Sequence, residues 1–143
     1  MNCMNTTAIW QKIELLLEKT EHSDYVAIFR DDFEEAMKDA SDLAYIEIEN
    51  TAFPDLLEKL RNELAALPMK SARNSVVRIG TTSDGAEGRL SCDNVHNLLK
   101  TVQEFTSGAN LIWGLDVDTA ISSGCYSVAV VFAMSAQDTP PLV

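Results

Sequence analysis

The last third of the chain has the pattern of a strand, an acidic turn and a second strand. Between Ala109 and Asp118, apolar side chains alternate with small or acidic ones. Between Tyr126 and Met134, aromatic and β-branched side chains occupy every second position. Alternation with a period of two is typical of strands that pair over a core. The chain is therefore predicted to end in two adjacent strands of a sheet.

The remaining elements follow from the spacing of apolar residues. A helix is predicted over Ala8–Lys19 and a second one that starts near Asp31 or Asp32 and includes Ile28 and Phe29 among its apolar positions. A strand over 43–49, a helix from Pro54 to Leu67, a strand over 76–82 and a helix over 93–105 come next. The fold class is α+β: a four-stranded mixed sheet in the order β-α-β-α-β-β, backed by two helices and preceded by two N-terminal helices.

The same pattern divides the chain into three parts. Residues 1–40 form an N-terminal helical segment packed on the domain, residues 41–136 form the α+β domain, and residues 137–143 form a flexible tail. Two helices can cover only one face of the sheet. The last strand, however, also carries Ala129, Val131 and Ala133 on its second face, and an apolar sheet face needs a cover. Either the helix Ala8–Lys19 or another subunit supplies it.

Composition excludes several classes of partner. The net charge is −11, from 22 acidic and 11 basic residues, so the surface repels nucleic-acid phosphates and anionic lipid. No apolar run is long enough to insert into a membrane. Three cysteines without a close pair favour a reduced, cytoplasmic setting, and the isolated His22 and His96 predict no metal centre.

An ordered series of short motifs resembles the C-terminal domain of the cell-division protein FtsZ. The first of the two final strands matches that family's strand at Ala109, Ile112, Gly114 and Asp118, and the second matches its valine-rich last strand. The segments Ser71–Ile79 and Asp32–Met37 match two further motifs in the same order. The likeness runs from about Phe29 to Met134 and implies the FtsZ C-terminal fold.

The resemblance also bears on activity. In the family, the acids that match Asp32 and Glu35 act on the nucleotide of the neighbouring subunit, but the asparagine that precedes them is missing here, with Phe29 and Arg30 nearby instead. The glycine-rich nucleotide loop of the family has no counterpart in these residues. The resemblance therefore implies no GTP binding or hydrolysis by this chain alone, and no cofactor. A solvated helix start is the favoured explanation of the same acids, since acidic residues favour the first turn of a helix.

The leading hypothesis is a non-catalytic interaction or assembly module that associates with itself or with an FtsZ-like filament. Its predicted contact residues lie in three segments and one strand: Asp31, Asp32 and Glu35; Asp84 and Arg89; Asp116 and Asp118; and Trp113. Trp113 is either a core residue or an interface aromatic. Asp116 and Asp118 are either solubilising acids that face a loop or part of a divalent-cation site with Asp84 and Glu87.

The alternative is a small-molecule-binding or chorismate-mutase-like enzyme with sites between subunits. Its anionic substrate would need cations, and the candidates are Arg73, Arg78 and Arg89, which the pattern places near loops. Cys92 and His96 lie four residues apart on one helix, but no third group orients them as a catalytic pair.

Overall fold

A computed structural model describes residues 6–21, 23, 25–67, 72–82, 92–106, 110–122 and 124–134. The predicted tail at 137–143 and the loop residues Asp84, Glu87 and Arg89 lie outside the described residues. The division of the chain into three parts stays a prediction.

Four helices and four strands make up the described part of the chain. In chain order they are α1 (Thr6–Glu21), α2 (Arg30–Met37), β1 (Asp42–Ala52), α3 (Phe53–Ala65), β2 (Ala72–Thr81), α4 (Cys92–Phe105), β3 (Asn110–Val117) and β4 (Cys125–Met134). The strands form one sheet in the order β1-β4-β2-β3, in which β2 and β3 are parallel and the other pairs antiparallel. The predicted α+β class and the mixed four-stranded sheet are confirmed.

The first face of the sheet packs against α3 and α4. Leu56, Leu60 and Leu64 recur at helical spacing along α3 and are fully buried. Pro54 lies in the first turn of that helix, where its missing N–H has no helical partner to lose. The side chains of β4 that alternate from Tyr126 to Met134 all join this core, as the period-two pattern predicts.

The second face is covered by α1 and α2 of the same chain. Ile13 and Leu17 of α1 are fully buried in one cluster with Val131 of β4 and Val76 of β2. The small side chains Ala129 and Ala133 belong to the same cluster and let the helices approach the sheet closely. The question left open by the sequence is thus answered within the chain, and no second subunit is needed to bury this face.

The segment between α1 and α2 runs along the outer edge of β3. Val26 and Leu115 exchange backbone hydrogen bonds of 3.3 and 2.8 Å, and the hydroxyl of Ser23 donates to the carbonyl of Leu115. Ile28 follows outside any helix or strand and packs against Gly114, where an added Cβ would lie 2.5 Å from the Ile28 side chain. The helix α2 begins at Arg30, next to the predicted start near Asp31 or Asp32, so Ile28 and Phe29, which were counted among its apolar positions, precede it. Ile28 is instead fully buried against this strand edge.

Candidate interaction site

An acidic helix surface is formed by α2. Phe33, Ala36 and Met37 are buried at helical spacing, which turns Asp31, Asp32, Glu34 and Glu35 outward to solvent. Phe29 precedes the helix in extended backbone and offers no side-chain cap, so Asp31 and Asp32 complement the positive end of the helix dipole from the first turn. Asp31, Asp32, Glu34 and Glu35 are called the α2 surface below.

Two contacts fix the position of α2. The guanidinium of Arg30 donates to both carboxylate oxygens of Glu14 on α1, at 2.9 and 2.8 Å. These hydrogen bonds lower the pKa of Glu14 and raise the pKa of Arg30. At the other end, the Asn74 amide of β2 donates to the Ala36 carbonyl at 2.8 Å. The helix is therefore bonded to α1 at one end and to β2 at the other, and the four carboxylates of the α2 surface take no part in these hydrogen bonds.

A small cavity lies beside the α2 surface. It has a volume of about 270 Å³, and its lining combines acidic and amide side chains with apolar ones: Asp32, Glu35, Ala36, Asn74, Asn110 and Ile112. Asp32 and Glu35, the pair singled out by the sequence, are thus brought together at the amino-terminal ends of β2 and β3. Carboxylates and amides give this end hydrogen-bonding capacity and negative charge.

Asp116 and Asp118 lie at the opposite end of β3 from the α2 surface, and only Asp116 is buried. Arg78 Nε donates to Asp116 Oδ1, and Arg78 Nη2 donates to Asp116 Oδ2, both at 2.7 Å, with both side chains buried. Asp118 Oδ2 accepts from Arg78 Nη2 at 3.5 Å and from Lys19 Nζ at 3.3 Å. The expectation that Asp116 is a loop-facing solubiliser is wrong, because its carboxylate neutralises a buried arginine inside the sheet.

The same contacts correct the placement of Arg78. It lies within β2, not near a loop, and Gly80 leaves room for it, since an added Cβ at Gly80 would lie 2.7 Å from Arg78 Nη2. Burial would lower the pKa of Arg78, but the hydrogen bonds and charge of Asp116 outweigh it and raise the pKa. This paired arginine is not available to an anionic substrate, which removes one cation that the enzyme hypothesis required.

Asp118 also closes the turn between β3 and β4. Its Oδ1 accepts from the Ala120 backbone N–H at 3.0 Å, and this hydrogen bond, helped by Lys19 and Arg78, lowers the pKa of Asp118. Six residues of extended chain, about 20 Å, separate Asn110 beside the α2 surface from Asp116. The predicted contact residues thus occupy opposite ends of β3 and do not form one site.

The other predicted residues are placed as follows. Trp113 is partly buried and packs against the core on the face covered by α3 and α4. The exposed aromatics are instead Trp10, Tyr25 and Phe29, none of which was predicted to be a contact residue. His96 is exposed on α4. Among the described residues, no group of three or more potential metal ligands converges, and no helix is long and apolar enough to cross a bilayer.

Comparison with solved structures identifies the fold. The chain is similar to an FtsZ dimer from M. jannaschii (14% identity, TM-score 0.60) that it matches over 96% of its own length and 42% of the other chain. It is also similar to TubZ in a GDP-form protofilament from Bacillus thuringiensis serovar israelensis, with 15% identity and a TM-score of 0.64. This match covers 92% of the chain and 35% of TubZ. A third similar structure is CetZ from Methanosaeta thermophila, with 15% identity and a TM-score of 0.57. This match covers 90% of the chain and 36% of CetZ.

The fold is that of the C-terminal domain of these tubulin-like proteins, and the predicted resemblance is confirmed at the level of structure. The chain spans less than half the length of each of the three. No protein-family model matches it, and no curated protein matches it in sequence.

Proposed function

We propose that this chain is a non-catalytic interaction module that docks on a tubulin-like filament through the α2 surface. The observation that carries the proposal is a helix fixed at both ends by other elements, which presents four carboxylates to solvent. Self-association is the second form of the same proposal. The similarity to proteins solved as an FtsZ dimer and as a TubZ protofilament supports an assembly role.

The rigidity of α2 supports docking. Phe33 is fully buried and stacks edge-to-face with Trp10 of α1 at a centroid distance of 6.1 Å. Together with the Arg30–Glu14 and Asn74–Ala36 contacts, this packing holds the backbone in place before any partner arrives. A preformed surface loses less conformational entropy on binding, so more of the contact energy appears as affinity.

Charge favours a cationic face on a partner over a second copy of the chain. The α2 surface holds four carboxylates, and Lys38 forms an ion pair with one of them, Glu35, at 3.6 Å. With a net charge of −11, two copies repel each other at long range. A basic patch on a filament would be attracted and steered towards α2.

The absence of the family's glycine-rich loop from these residues supports a role without chemistry. Phosphate binding in such proteins relies on backbone N–H groups of a glycine-rich loop at a helix start. Because the sequence contains no such glycine-rich loop, we expect the chain to contribute docking to an assembly and not nucleotide chemistry.

The experiment is co-pelleting and light scattering with polymerising FtsZ from the same cell. Equimolar wild-type chain is expected to pellet with the polymer and change its assembly kinetics. The variant Asp32→Asn/Glu35→Gln should bind roughly three- to ten-fold more weakly, the range for two exposed charge contacts. Asp55→Asn/Glu58→Gln is the matched control, because these exposed acids have the same spacing at the start of α3. Unchanged polymer kinetics with wild-type chain would contradict the proposal.

A further inference from the structure

The outer edge of β1 is the open edge of the sheet. The order β1-β4-β2-β3 leaves β1 and β3 at the two ends, and β3 is capped by the bridge to Val26. Within the described part of the chain, no strand pairs with the outer side of β1. An edge strand directs every second N–H and C=O outward, where another extended chain can pair with them.

A groove runs beside this edge. One wall is the end of β1 from Glu47 to Thr51, and the other is a stripe of α3 at helical spacing: Lys59, Asn62, Glu63 and Ala66. The groove has a volume of about 560 Å³. A groove between a strand edge and a helix is the geometry in which peptides add as an extra strand.

The charge of the groove selects the occupant. Three acidic residues line it, Glu47, Glu49 and Glu63, against the single cation of Lys59. The carboxylate of Glu47 is already paired, since it accepts from Lys12 Nζ of α1 at 3.1 Å and from the Tyr45 hydroxyl at 3.0 Å, so the negative charge of the groove rests on Glu49 and Glu63. With a net charge of −11, a second copy of the chain is repelled from this edge at long range, whereas a cationic peptide is attracted.

We infer that the β1 edge and its groove bind an extended, basic peptide segment of a partner protein as a fifth strand. The regular edge runs from Asp42 to Ile48, because a bulge between Ile48 and Thr51 interrupts the register there. Asn50 adopts φ 47° in that bulge, and its N–H donates to the Ser127 hydroxyl instead of the strand ladder. The peptide therefore pairs along Asp42–Ile48 and places lysine or arginine side chains against the carboxylates at the end of that run.

This surface is separate from the α2 surface, and the inference does not rest on the proposed function. Its test is fluorescence anisotropy with a labelled nine-residue peptide of alternating lysine and valine. The expected results are saturable binding of this peptide and no binding of the same peptide with glutamate in place of lysine. The variant Glu49→Gln/Glu63→Gln should weaken binding by roughly three- to ten-fold, the range for two exposed charge contacts.

Two controls separate strand pairing from general attraction to an acidic protein. Methylation of the peptide nitrogens at one alternate set of positions should abolish binding, and methylation of the other set should leave it, because only one set faces β1. The variant Asp32→Asn/Glu35→Gln removes two exposed carboxylates elsewhere and should bind the peptide as the wild type does. Equal binding of both methylated peptides, or equal weakening by both protein variants, would overturn the inference.

Discussion

The substitution Asp116→Asn tests the buried ion pair that joins β2 to β3. It removes the charge that faces Arg78 while keeping the size of the side chain and one acceptor oxygen. Removing one partner of a buried pair costs about 3–5 kcal/mol, since the remaining charge is left uncompensated. Asp118 at 3.5 Å from Arg78 offsets part of this loss, so the lower end, about 3 kcal/mol, is expected.

The assay is urea unfolding followed by circular dichroism, with thermal unfolding alongside. A loss of 3 kcal/mol in a chain of 143 residues corresponds to a fall of roughly 10 °C in Tm. Asp118→Asn is the control, because its carboxylate is partly exposed, and it should cost about 1 kcal/mol. The double variant Arg78→Met/Asp116→Leu should recover most of the stability, since no charge remains to be compensated. A loss below about 1 kcal/mol for Asp116→Asn would refute the reasoning.

Three further predictions follow from contacts of the second sheet face and the strand edges. Ile13→Ala in α1 should lower the free energy of unfolding by about 2–5 kcal/mol, because Ile13 is fully buried. Leu15→Ala, on the exposed side of the same helix, should lower it by less than about 0.5 kcal/mol, and similar losses for the two variants in urea unfolding would contradict the packing of α1 on the sheet. Gly114→Ala should cost about 1–3 kcal/mol in the same assay, because the new methyl group meets Ile28, and a neutral result would show that the segment along β3 yields easily. Burial, together with Glu47, raises the pKa of Tyr45 well above its ordinary value, so the stability that the neutral hydroxyl contributes is present below about pH 10 and declines as the pH rises further. Tyr45→Phe should flatten this alkaline decline in unfolding experiments, and an unchanged slope would count against the burial of the hydroxyl.

Local patterns predicted most of the fold because each element carries its own period. The alternation in β4 separates Val128 and Val130 from Ala129 and Val131, and these two sets do face the two different cores. The stripe of Ile9, Ile13, Leu16 and Leu17 likewise predicted α1 and the face it buries. In these elements the sequence spacing and the tertiary packing agree.

The errors arose where the outcome depends on contacts between distant segments. Arg78 interrupts an otherwise apolar run in β2, and that interruption was the available signal of a buried partner. Its partner Asp116 becomes identifiable only from the register of two parallel strands, which sets Gly80 opposite Asp116. Ile28 has helical spacing to its neighbours, but its side chain is fully buried against Gly114 of β3 and lies before the start of α2. Asp31, Asp32 and Glu35 were placed correctly on an exposed helix, although nothing local indicated that Glu14 and Asn74 fix that helix.

The most direct test of the docking account is hydrogen exchange of the chain, alone and with assembled filaments of FtsZ from the same cell. The account predicts added protection of amides in α2, residues 30–37, and little change in α3, whose exposed acids are matched in spacing. Added protection confined to α3 or α4, or none anywhere at concentrations where the polymer is in excess, would contradict it.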